Sequence, residues 1–116
     1  MEKKNVILEK SFEFALAIIE FSEELENNRK FVIARQLLKS GTSIGANIRE
    51  AQGAESKLDF IHKLKIAAKE ANETEYWLLL CNRSNSYPFS ESLLQKLIEI
   101  QKLLSAIISS SKQSSL

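Results

Sequence analysis

Long helical patterns are the feature that most limits what this chain can fold into. The stretch from Leu37 to Leu80 reads LLKSGTSIGANIREAQGAESKLDFIHKLKIAAKEANETEYWLLL, and small or apolar residues recur in it at steps of three and four. The whole chain of 116 residues contains three Gly and one Pro. Because these two residues interrupt helices most strongly, their scarcity favours long helices over sheets. We therefore predict an all-α protein.

The length of the chain predicts a single domain. We expect one helical domain over residues 1–110 and a flexible Ser-rich tail over residues 111–116. A single cysteine excludes an internal disulfide framework and a cysteine-based zinc site. No apolar run approaches the roughly 18 residues of a membrane span, and the N-terminus lacks a signal-peptide pattern. We expect a cytoplasmic protein that has no membrane partner.

Apolar spacing and capping residues predict four helices. The first two run from about residue 5 to 27 and from about 30 to 52. Ser56 caps the third helix, which ends before the turn at residues 82–90. Ser90 caps the fourth, which continues to about Ser109. In helix two the apolar pattern passes through Gly41 and Gly45, which favours one continuous helix over a break at Ser40–Gly41.

Helix one carries two apolar stripes. The first consists of Leu8, Phe12, Ala15 and Ile19. The second consists of Phe14, Ile18, Phe21 and Leu25. The remaining polar arc covers about a third of the circumference, less than a surface helix of a monomer usually keeps in water. We therefore expect a second buried face of helix one against another subunit.

Helix three also has apolar residues outside its heptad-like core seam, a pattern that usually marks an interface. The two glycines of helix two indicate close helix–helix approach, since each costs about 1 kcal/mol in a helix interior. The candidate residues for subunit contacts or close helix packing are Phe14, Phe21, Gly41, Gly45, Ile66, Trp77 and Leu80.

The net charge of +1 conceals a gradient along the chain. Residues 1–28 hold seven acidic and three basic residues, whereas residues 29–70 hold nine basic and four acidic ones. Such a basic segment can contact the phosphates of a nucleic acid. The candidate contacts are Arg35, Lys39, Arg49, Lys57, Lys63, Lys65 and Lys69. The alternative is that basic helices pair with acidic helix one of the same or a neighbouring subunit.

No residue pattern in the chain indicates catalysis. His62 is the single histidine, and with Asp59 it forms a D-x-x-H pair that lacks the second half of a bundle metal site. Cys81 falls on the apolar seam of helix three, where we expect a small core residue. The GTSIG run has neither the strand nor the Lys-Ser/Thr pair of a phosphate loop. We expect no enzyme activity, no metal and no cofactor.

The run SGTSIGANIREAQGAESKLDFIHKLKIAAKEANETEYWL resembles the family of four-helix bundle proteins encoded by intervening sequences within bacterial 23S rRNA genes. The resemblance implies an antiparallel up-and-down four-helix bundle that assembles into a ring, a pentamer. It also suggests kinship with the accessory proteins of diversity-generating retroelements, which bind nucleic acid and a reverse transcriptase. We therefore expect a homo-oligomer that binds RNA or another nucleic acid. The alternative is a protein-interaction scaffold or accessory subunit that binds no nucleic acid.

Overall fold

Four helices make up most of the computed structural model, which describes residues 5–113. They are α1 (Val6–Asn27), α2 (Phe31–Ala51), α3 (Lys57–Arg83) and α4 (Glu91–Gln113). Each helix packs against two others, in the cyclic order α1, α2, α3, α4 and back to α1. The bundle measures 52 × 27 × 21 Å. The predicted all-α fold is confirmed for the described residues.

Polar contacts between helix ends fix the direction of each helix. Asn5, at the start of α1, donates from its side-chain amide to Gln52 after the end of α2, at 3.1 Å. Lys63 in α3 donates to Glu50 near the end of α2, at 3.0 Å. Lys65, near the start of α3, lies beside Lys112, near the end of α4. Consecutive helices are therefore antiparallel, and the up-and-down order that the resemblance implied is confirmed.

Helix α2 is continuous through both of its glycines, as the spacing predicted. A Cβ atom on Gly41 would lie 2.8 Å from Cγ1 of Ile18, and one on Gly45 would lie 3.2 Å from the carbonyl oxygen of Ser11. Neither glycine has a positive φ. Both positions therefore favour glycine because α1 and α2 come close together, not because the backbone needs unusual dihedral angles.

The core lies between the second stripe of α1 and the inward sides of the other helices. Phe14 and Phe21, predicted as packing residues, are buried in this core. One buried polar contact joins α2 to α3, where the hydroxyl oxygens of Ser40 and Thr74 lie 2.9 Å apart. The Thr74 hydroxyl also lies 2.7 Å from the carbonyl oxygen of Glu70, which satisfies it within its own helix.

The turn after α1 places Arg29 in a backbone conformation that non-glycine residues rarely adopt. Its φ is 65°, in the left-handed region. The backbone N–H of Lys30 donates to the carbonyl of Leu25 at 2.8 Å, the bond of a Schellman-type helix end. This turn sends the chain directly into α2.

Helix α4 extends one turn further than its sequence predicted. The expected end was near Ser109, but the helix continues to Gln113. Ile107 and Ile108 pack against the core at this end. This packing stabilises the helical turn that follows them. The predicted flexible tail over residues 111–116 is therefore helical through residue 113, and its last three residues lie outside the described part.

Candidate interaction surfaces of the bundle

An apolar strip remains uncovered on the side of α1 that faces away from the core. We call it the outer face of α1, formed by Phe12, Leu16 and Ile19. Their side chains are 58%, 46% and 40% exposed. Phe12 and Ile19 belong to the first predicted stripe. Leu16 was missed, although its position four residues after Phe12 places it on the same side of a helix.

A cleft of about 420 Å³ runs beside this outer face, between α1 and α2. Its lining is mostly small or apolar on both helices, and at Gly45 the backbone of α2 comes close to the backbone of α1 at Ser11. Phe12 and Arg49 also line the cleft, together with Glu9 and Glu13. The apolar strip is thus continuous with a concave surface that carries charge at its border.

The exposed side of α2 carries three of the predicted phosphate-contacting residues. Arg35, Lys39 and Arg49 are all exposed. None of the three forms an ion pair with a carboxylate of residues 5–113. We call these three residues the basic side of α2.

The four lysines predicted on α3 do not share one surface. Lys63 contacts Glu50, whose hydrogen bond and negative charge raise the pKa of the Lys63 ammonium. Lys65 lies beside Lys112 of α4. A side-chain hydrogen bond with Lys112 and the like charge of that neighbour lower the pKa of Lys65. Lys57 and Lys69 are exposed. The seven predicted basic residues are therefore spread over the bundle.

Aromatic side chains shape the second half of α3. Trp77 is half-buried against the core and donates from its indole N–H to Glu73 at 3.1 Å. The ring of Tyr76 meets it edge-on, with 5.3 Å between the ring centroids. Leu80 is 39% exposed, and Ile66 is half-buried. Trp77 therefore contributes to the bundle's own packing, while Leu80 adds apolar surface to its exterior.

Asp59 and Cys81, two residues that a chemical site could use, have structural roles in this fold. The Asp59 carboxylate accepts from the backbone N–H of Glu55, and the Ser56 hydroxyl accepts from the N–H of Asp59, so both residues cap α3. Burial raises the pKa of the Cys81 thiol to about 11. Among residues 5–113 no cluster of three His, Cys, Asp or Glu side chains could hold a metal ion.

No helix in the described part of the chain has the length and apolar character needed to cross a membrane.

The chain is similar to known proteins in both sequence and structure. A family model described as 23S rRNA-intervening sequence protein matches residues 3–106. The fold is also similar to the crystal structure of a protein with unknown function from the S23 ribosomal protein family of Bacteroides thetaiotaomicron. The two are 52% identical, with a TM-score of 0.83, over 88% of this chain and 97% of that one. No curated protein matches the chain.

Proposed function

The chain belongs to the 23S rRNA-intervening sequence protein family, and we propose that it is a self-associating, non-enzymatic four-helix bundle that binds RNA or another nucleic acid. The observation that carries this proposal is the basic side of α2, whose three cations have no carboxylate partner within residues 5–113. Unpaired, solvated cations are free to contact phosphates and release counterions. We place the protein in the cytoplasm, since one cysteine leaves no disulfide framework.

The ion pairs of the bundle support a free basic side. The two ion pairs within the described residues are Lys10 with Glu99 and Lys63 with Glu50. Neither connects α1 to α2, so within residues 5–113 no ion pair joins the acidic helix to its basic neighbour. Lys57 and Lys69 are exposed on α3 and would add phosphate contacts separate from the basic side of α2.

Self-association is supported by the outer face of α1. Contiguous exposed apolar surface on a globular protein usually marks an interaction site. We propose that a second copy of this chain covers Phe12, Leu16 and Ile19, and that the assembly is the pentameric ring the family resemblance implies. Repeating the basic side of α2 around such a ring would raise the avidity for a long polyanion above that of one protomer.

Two observations on side chains that catalysis would need support a non-enzymatic role. The chain has one histidine, His62, on the exposed surface of α3. Cys81 is buried with a raised pKa, which disfavours the reactive thiolate. We therefore propose that binding, not bond making, is the protein's activity.

The test is RNA binding at two salt concentrations, with a structured RNA from the 23S rRNA intervening region. An oligomer that makes six or more phosphate contacts should lose about 1,000-fold or more in affinity between roughly 50 and 200 mM salt. Lys39→Glu combined with Arg49→Glu should abolish binding. The charge-matched control is Lys96→Glu with Lys102→Glu, two exposed lysines of α4, which should leave most of the affinity. An RNA affinity that changes neither with salt nor in the variant Lys39→Glu with Arg49→Glu would refute the proposal.

A protein scaffold is the second candidate function. It is favoured by the cleft in which Arg49 lies with Glu9 and Glu13, because such charges could pair across a subunit boundary. In that case the variant Lys39→Glu with Arg49→Glu should dissociate the oligomer. If the basic side of α2 binds nucleic acid instead, the same variant should remain an intact oligomer that no longer binds RNA. Light scattering on the double variant separates the two functions.

A further inference from the structure

A second cleft, with a mostly apolar lining to which two lysine side chains contribute, lies at the end of the bundle, where the first turns of α3 meet the last turn of α4. Its volume is about 390 Å³. It is lined by Leu58, Ile61, His62, Lys65 and Lys112. We call it the end cleft. It shares no residue with the basic side of α2, so what it binds does not depend on the function proposed for that surface.

The end cleft brings two like charges together. Lys65 and Lys112 come from different helices, and the fold places them side by side. No carboxylate of residues 5–113 lines the cleft or forms an ion pair with either lysine. The neighbouring ammonium accordingly lowers the pKa of Lys65. An anion placed between the two would replace this repulsion with two attractive contacts.

The remaining lining residues indicate what the anion would be attached to. His62 also lines the cleft. Leu58 is 82% exposed, and with Ile61 it forms an apolar wall of the cleft. A ligand that fits this arrangement has a strongly charged head and a flat or apolar body.

We propose that the end cleft binds a phosphomonoester, with the phosphate between Lys65 and Lys112 and the attached apolar group on Leu58. A phosphomonoester carries a charge of about −1.5 to −2 at pH 7, so it matches two ammonium groups better than the single charge of a backbone phosphodiester. Two sources supply this chemistry, a free mononucleotide and the phosphorylated end of a nucleic-acid strand.

The experiment is an NMR titration of the full chain with adenosine monophosphate, with adenosine as the matched probe that lacks the phosphate. We expect the side-chain signals of Lys65 and Lys112 to move with the monophosphate and not with adenosine. Lys65→Gln and Lys112→Gln should each weaken binding about fivefold, the upper range for one exposed ion pair. The control Lys102→Gln, at another exposed position of α4, should bind like the parent.

A second readout separates phosphate binding from apolar docking on Leu58. Bound monophosphate should raise the pKa of Lys65, because its negative charge opposes the effect of Lys112. Equal binding of adenosine and the monophosphate would overturn the proposal, as would parent-like affinity in both lysine variants. All of these residues are exposed or at the cleft surface, so circular dichroism should confirm that each variant folds.

Two oligonucleotides of the same sequence distinguish the sources. One carries a 5′-phosphate and the other a 5′-hydroxyl. If the phosphorylated strand binds more tightly than adenosine monophosphate and loses that advantage in Lys65→Gln, the site takes a strand end. If the monophosphate binds and the two strands bind equally, the site takes a free mononucleotide. Either result supports the cleft as a phosphomonoester site.

Discussion

The inner and outer faces of α1 are built from similar residues and differ in what covers them. On the inner face, Phe14 is 1% exposed and Ile18 is fully buried. On the outer face, Phe12 and Leu16 are 58% and 46% exposed. Apolar residues at helical spacing therefore show that a face is apolar without showing that the chain itself buries it. The narrow polar arc of α1 predicts a second buried face against another subunit, and within one chain that face is exposed.

The difference between the two faces comes from their neighbours. Gly41 of α2 lets its backbone approach Ile18, so the inner face is closed by direct packing. Within residues 5–113 no further helix covers the outer face, which is bordered by the cleft at Gly45. Exposed apolar area is unfavourable by about 25 cal/mol per Å², so a second copy that covers this face would gain stability from it. We therefore propose that the outer face of α1 is where copies of the chain associate.

Truncating one phenylalanine on each face should give the largest contrast. Phe14→Ala should lower the free energy of unfolding by about 3–5 kcal/mol, because it opens a cavity in the core. Phe12→Ala should leave the dilute protomer within about 0.5 kcal/mol of the parent, while it weakens the dependence of stability on protein concentration. Urea unfolding at several concentrations measures both effects. Equal losses in dilute protein would mean that the chain itself buries both faces.

Adding a methyl group at each glycine of α2 tests how closely α2 packs against α1. Gly41→Ala should destabilise the fold by about 1–2 kcal/mol, since strain against Ile18 exceeds the gain of about 1 kcal/mol in helix propensity. Gly45→Ala should stay within about 1 kcal/mol of the parent, because its new Cβ makes only a tight contact, 3.2 Å, with the Ser11 carbonyl. Thermal unfolding compares the two variants. A stabilised Gly41→Ala would contradict the close approach at the inner face.

Replacing Arg29 should stabilise the fold without touching either face. Arg29→Gly relieves the positive φ of 65° and should raise the free energy of unfolding by about 0.5–1 kcal/mol. Asn28 has a φ of −95° and donates from its side chain to the Glu24 carbonyl, so the control Asn28→Gly should destabilise. Oligomeric state should be unchanged in both. A change of subunit number in Arg29→Gly would show that the turn also contributes to the interface.

The smallest effect concerns an ion pair that lies away from both faces. Glu50→Gln should return the pKa of Lys63 toward its ordinary value, because Glu50 is the main cause of the raised pKa. In the parent the pair stabilises the fold below the ordinary lysine pKa, and this contribution is lost as pH rises through the raised value. An NMR pH titration of the Lys63 side chain measures the shift. An unchanged Lys63 pKa in Glu50→Gln would show that Glu50 is not the cause of the raised pKa.

Local sequence signals predicted most of the fold. The caps at Ser56 and Ser90 placed the starts of α3 and α4, and the hydroxyl of each accepts the expected backbone hydrogen bond. The unbroken spacing through Gly41 and Gly45 predicted a continuous α2, which is confirmed. These features depend on neighbours within one or two helical turns, and such short-range interactions can be read from one sequence.

The surfaces were harder to predict, because they depend on how the helices are rotated against one another. The basic residues of α3 formed one group in the sequence, but the bundle pairs Lys63 with Glu50 and places Lys65 against Lys112. Lys112 could not be assigned to a site because the predicted end of α4 lay near Ser109. Packing against the core carries the helix past that residue, and the end cleft exists only with this added turn.

Self-association is tested most directly by the molar mass in solution of the parent and of Phe12→Glu, measured by light scattering over a range of concentrations. The control is Val32→Glu, which places the same charge at a 68% exposed apolar residue of α2. We expect the parent and Val32→Glu to form the same oligomer, while Phe12→Glu should be a folded monomer. A Phe12→Glu variant that keeps the parent's molar mass, or a parent that is monomeric throughout, would contradict self-association through the outer face of α1.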